Sequence, residues 1–177
     1  MDSLLAHIEV AFAKRVAPRA GELTRCTYDR ANGGDFNGPC LECQSVARFF
    51  GGRDWREIGA AALAVHGQCD HLLSIAAYCY YLPAYLVASV REPKVLDVCI
   101  DHLAYRFGPR PGDDWAIERR QAVLCELSEE EMRVLLDYFC YALDRDGDFD
   151  DFTARSIEIL RSFPNYSLKR TNQSLRD

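Results

Sequence analysis

Residues 72–90 run for nineteen positions without one charged side chain. A run of that length belongs either in a bilayer or in the middle of a protein core. Its composition favours the core. Tyr78, Tyr80, Tyr81 and Tyr85 lie mid-run, whereas membrane tyrosines gather at the two interfaces. Pro83 falls near the centre, where its ring and missing N–H interrupt a helix. The run therefore predicts two short buried helices, 70–81 and 83–90, with Pro83 in the first turn of the second. Leu72, Ile75, Tyr78, Leu82, Tyr85 and Leu86 are the expected core residues.

The flanking sequence keeps a helical period. Leu4, Leu5, Ile8, Phe12 and Val16 fit one face of a first helix. Pro39 can open a helix that stops at Gly51-Gly52. Asp54 and Glu57 resemble a capping box ahead of a helix from about Trp55 to Gly67. Val95 to Leu103 continue the pattern. Asp113 or Asp114 can cap a helix starting at Trp115, and Ser128 with Glu131 forms a capping box for the next. A final helix over 152–163 stops before Pro164. No stretch alternates as a strand does. The expectation is an all-α, single compact helical domain of roughly seven helices over 1–163. It carries a long polar loop at 17–38 and a polar C-terminal tail at 164–177.

The chain has 177 residues, 49% of them hydrophobic, which suits one core. Its net charge of −6 removes the phosphate-neutralising attraction on which nucleic-acid binding depends. The N-terminal MDSLLAHIEV has neither a basic start nor an unbroken apolar run, so a cytoplasmic location is expected, with no membrane and no nucleic-acid partner. Cys79, Cys99, Cys125 and Cys140 sit in apolar, helix-patterned stretches and read as small reduced hydrophobes.

Cys40-Leu-Glu-Cys43 is the sharpest local motif. Two thiols three residues apart at a helix start face the same way, and the helix dipole favours their thiolates. A structural zinc needs four ligands, and the spacing supplies no second pair. The expectation is reduced structural cysteines, with no metal and no cofactor. If an ion is held, Cys26, Cys40, Cys43 and Cys69 are its candidate ligands, with His66 and His71 nearby in sequence. DRDGDFDDF (144–152) suggests a calcium loop but carries Phe149 where glycine is required and Arg155 where a bidentate Glu belongs. It reads as an acidic interhelical turn. No catalytic motif is present, so no catalytic residue is nominated.

The Cys40–Cys43 pair, FFGGRDW (49–55), YYLPAYLVASV (80–90) and LSEEE (127–131) together resemble a family of small bacterial helical proteins classed as a domain of unknown function. The likeness covers roughly residues 40–165, and YLPAYL is its most specific element. The resemblance implies a bacterial helical domain and brings no assigned activity.

Region 113–151 holds thirteen Asp or Glu against four Arg, a net charge of −9. Such a surface suits a cationic partner. The expected function is a non-catalytic binding protein, an immunity protein or antitoxin that neutralises a basic toxin or effector by direct protein–protein binding. Glu129, Glu130, Asp144, Asp146, Asp148, Asp150 and Asp151 would steer the partner, with Phe149 as an anchor and Tyr138 and Tyr141 as further candidates. The alternatives are a zinc-binding or thiol-based module centred on Cys40 and Cys43, or an enzyme with an unrecognised site.

Overall fold

The computed structural model describes residues 2–26, 40–146 and 151–163. Within them lie eight α-helices: α1 (Asp2–Phe12), α2 (Leu41–Phe50), α3 (Ala60–His66), α4 (Ile75–Arg91), α5 (Asp97–Phe107), α6 (Asp114–Glu126), α7 (Glu129–Asp146) and α8 (Phe152–Ser162). Short 3-10 turns at Ala20–Glu22, Trp55–Glu57, Gly67–Leu72 and Pro93–Val95 connect them. The one strand-like pairing among the described residues is a bridge between Thr24 and Leu73. The all-α expectation holds.

The uncharged run does not split at Pro83. It forms one helix, α4, with Pro83 inside it. Proline removes the N–H that would reach the carbonyl of Cys79 and costs about 3 kcal/mol in a helix interior. Against this, thirteen residues of α4 are buried, and each large apolar side chain among them contributes about 1.5–3 kcal/mol. Burial wins, and the helix continues. Its neighbours are α1, α3, α5, α6 and the turns at Trp55–Glu57 and Pro93–Val95, which explains an apolar surface all round. Of the expected core residues, Tyr78, Leu82, Tyr85 and Leu86 are buried, while Leu72 and Ile75 are half-buried. No helix among the described residues is long and apolar enough to cross a membrane.

Other boundaries also differ from the periodicity reading: α1 stops at Phe12 and leaves Val16 88% exposed. The helix expected from Trp55 is a single 3-10 turn, with Asp54 Oδ1 accepting the Arg56 N–H at 2.8 Å. The chain then extends through Ile58 and Gly59, and α3 starts only at Ala60. The first part of the supposed loop at 17–38 is also not free. Leu23 and Thr24 are each 1% exposed. The Leu23 carbonyl accepts the Ser74 N–H at 3.0 Å, and the Ser74 hydroxyl donates to the Glu22 carbonyl at 2.6 Å. Residues 27–38 and the tail at 164–177 lie outside the described residues.

The expected caps form. Asp113 Oδ1 accepts the Ala116 N–H, and Ser128 and Glu131 satisfy each other's backbone N–H groups at 3.2 and 2.7 Å. Glu131 is also buried against Arg15, with contacts of 2.5 and 2.8 Å, which ties the end of α1 to α7. Helix α8 packs on α5 and α7. It approaches α5 so closely at Gly108 that a Cβ there would lie 2.3 Å from the Phe152 carbonyl oxygen.

Candidate metal-binding thiol cluster

The clamp on residues 22–24 determines where Cys26 goes. With Leu23 in the core and bonded to the start of α4, the next residues are carried to the N-terminus of α2. Cys40 is the N-cap of α2: its backbone is extended, and its Sγ accepts the Cys43 N–H at 3.3 Å. Cys43 lies on the buried face of the same helix, with Val46, Phe49 and Phe50. Three sulfurs therefore converge. The Cys43 thiol points at Cys26 Sγ at 3.0 Å, and Cys26 Sγ lies 3.7 Å from Cys40 Sγ. All three Sγ atoms fall within 4.8 Å of one another.

Their environments differ. Cys40 is exposed, Cys26 half-buried and Cys43 1% exposed. The hydrogen bond from the Cys43 backbone holds the Cys40 thiol below its ordinary pKa, as expected at a helix N-terminus. Burial, with the Cys26 contact, pushes the Cys43 thiol up to about 12. An exposed thiol that ionises more readily thus stands beside a buried one that ionises less readily.

The separations suit a soft metal. Zinc–sulfur bonds of about 2.3 Å in a tetrahedron place sulfurs about 3.8 Å apart. The Cys26–Cys40 separation of 3.7 Å matches that edge, and the Cys26–Cys43 separation of 3.0 Å is shorter than it. Thiolates select zinc or copper(I) over magnesium and calcium. Among the described residues the group contains these three donors, so Cys69 is not brought in with them. Cys69 sits half-buried in the Gly67–Leu72 turn. His66 is exposed and stacks on Phe49, with centroids 4.4 Å apart.

The acidic residues do not gather in one place. Glu129 and Glu130 are exposed at the first turn of α7, while Asp144, near its end, and Asp151, just before α8, are exposed at the other. Fifteen residues of helix separate Glu129 from Asp144, about 22 Å. Asp148, Phe149 and Asp150 lie outside the described residues, and Asp146 is described only as the last residue of α7. Tyr138 is a core residue, 1% exposed, with its hydroxyl accepting from Ser89 at 2.9 Å. Tyr141 is half-buried under the Arg145 guanidinium.

Sequence reading missed a second polar group. Asp70 is buried and accepts two hydrogen bonds from Arg106, at 3.1 and 3.2 Å. Arg119, 9% exposed, donates to the carbonyls of Asp70 and Leu73. These contacts fasten the turn before α4 to α5 and α6. Only a charged residue inside an apolar pattern could have signalled them, and Arg119 is such a residue. A cavity of about 490 Å³ opens nearby, where Glu22, Glu118 and Glu126 face Arg25 and Arg119 around Trp115. Its mixed charge selects no ligand class.

No protein-family model, curated protein sequence or solved structure matches the chain. The likeness to a bacterial helical family therefore rests on its motifs alone.

Proposed function

We propose that this chain is a zinc-binding helical protein in which the thiolates of Cys26, Cys40 and Cys43 hold the ion. The observation that carries this reading is the convergence of three sulfurs within 4.8 Å from two separate segments. Cys40 and Cys43 share one helix turn, but Cys26 is delivered to them by an independent clamp on Leu23 and Ser74. Packing alone does not require three thiols of such different exposure to meet, whereas a metal rewards that meeting strongly. Three thiolates leave tetrahedral zinc one further position, for water or another donor. The ion would fasten residues 22–26 to α2, and so contribute to stability directly.

The reading without metal, favoured by the sequence alone, rests on the absence of a second CxxC. It does not account for the approach of Cys26. The binding-protein reading has charge as its sole support, now divided between the two ends of α7, and is the weaker of the two.

Cobalt(II) titration of the reduced chain tests the proposal. A tetrahedral thiolate site gives near-ultraviolet thiolate-to-cobalt charge transfer and intense visible bands, saturating at about one ion per chain. Cys43→Ser should remove most of that signal, and Cys125→Ser should leave it unchanged. Weak octahedral cobalt spectra in the unmodified chain would reject the site.

A further inference from the structure

The zinc reading leaves unused the fact that the three cysteines differ in access and in mutual distance. Cys40 is exposed, and its sulfur is the one a solute can reach first. Cys26 is its near neighbour, 3.7 Å away at sulfur, and it also lies 3.0 Å from Cys43. A disulfide needs a sulfur separation of about 2.05 Å. Closing Cys26 onto Cys40 therefore asks for less than 2 Å of movement, which side-chain rotation can supply.

We propose that the cluster is a hydroperoxide-responsive zinc switch, in which Cys26 and Cys40 join as a disulfide and the zinc is released. The inference rests on the zinc reading above. In the first step the Cys40 sulfur attacks the distal oxygen of a hydroperoxide. A sulfur–oxygen bond forms, the oxygen–oxygen bond breaks, the peroxide hydrogen stays on the transferred oxygen, and the leaving alkoxide (or hydroxide, from hydrogen peroxide) takes a proton from water. Cys40 is now a sulfenic acid. In the second step the Cys26 thiolate attacks the Cys40 sulfur. The sulfur–sulfur bond forms, the sulfur–oxygen bond breaks, and hydroxide leaves to become water. Two thiolates are oxidised and one peroxide is reduced. Cys43 is left as a single donor, which cannot hold zinc against solvent and takes up a proton when the ion leaves. Because Cys43 also touches Cys26, exchange can move the bridge to Cys26–Cys43. In either product Cys26 is a partner.

That last feature makes the test specific. Trypsin cuts after Arg25, Arg30 and Arg48, so Cys26 falls in the peptide 26–30 and both Cys40 and Cys43 in 31–48. The zinc-loaded full chain is treated with one equivalent of hydrogen peroxide. Released zinc is read with a chromogenic chelator, free thiols are alkylated, and the digest is analysed by mass spectrometry. The expected result is loss of about one zinc per chain and a disulfide linking 26–30 to 31–48, both reversed by dithiothreitol and fresh zinc. Retention of zinc with oxidation at exposed Cys125 overturns the switch and leaves the zinc site standing. A disulfide internal to 31–48 overturns the role of Cys26. A chain that carries no zinc before treatment yet forms the 26-to-31–48 link overturns the zinc reading and keeps the thiol pairing.

Discussion

The sulfurs of Cys26 and Cys43 lie 3.0 Å apart although seventeen positions separate the residues in sequence. Cys43 is inside the core face of α2, and Cys26 ends a segment pinned to the start of α4. The backbone of each is held by buried neighbours, Leu23 on one side and Val46 and Phe50 on the other.

That burial fixes the sign of a pH dependence. The Cys43 thiol, raised to about 12, is protonated throughout the neutral range. Zinc must displace that proton, so binding becomes easier as pH rises. Cys40, held low by the Cys43 N–H, gives up its proton at lower pH than Cys43. Apparent zinc affinity should increase by about tenfold per pH unit from Cys43 alone. Competition with a chelator between pH 6 and 8, corrected for the chelator's own protonation, measures this. A flat profile would mean that Cys43 is not a ligand.

Glu131 carries a separate expectation. It closes the α7 capping box and binds Arg15 while only 4% exposed. Glu131→Ala leaves the Arg15 guanidinium without its carboxylate and the Ser128 N–H without an acceptor. The loss in unfolding free energy should be about 3 kcal/mol. Arg15→Ala in the same background should cost less than Arg15→Ala alone, because of its two partners only the Glu126 carbonyl, at 2.9 Å, remains. Urea denaturation of the two single variants and the double variant decides, and additive losses would show that the pair is not coupled.

Two tyrosines of α4 should respond oppositely to loss of a hydroxyl. Tyr81 donates to the Phe50 carbonyl at 2.5 Å and reaches the Arg53 carbonyl at 3.3 Å. The Tyr78 hydroxyl is buried and has no hydrogen-bond partner among the described residues. Tyr81→Phe should cost about 1 kcal/mol, while Tyr78→Phe should be neutral or stabilising by up to about 1 kcal/mol. Chemical denaturation midpoints compare them directly, and a destabilised Tyr78→Phe would mean the hydroxyl does find a partner.

The helices were legible because their caps and apolar periods are local. Asp113, Ser128 and Glu131 act within one turn of themselves, and their roles could be read by spacing. Pro83 misled because its cost is local while the burial that overrides it is supplied by six other elements. Leu23 was illegible for the same reason. A single leucine in a polar stretch has no period, and its place inside goes with the backbone bond to Ser74 and the adjoining Thr24–Leu73 bridge. The site followed that failure. Cys40 and Cys43 could be picked out as a pair, and Cys26 was among the candidate ligands, but nothing in the spacing distinguishes Cys26 from Cys69. The distinction is made by the tertiary clamp at residues 22–24.

The most direct measurement is the zinc content of the chain, purified under reducing conditions without added metal, by elemental analysis. The three-thiolate centre requires about one zinc per chain, falling well below half in each of Cys26→Ser, Cys40→Ser and Cys43→Ser and staying at about one in Cys69→Ser. Less than a tenth of an ion per chain in the unmodified protein, with zinc added back and still not retained on desalting, would contradict the centre outright.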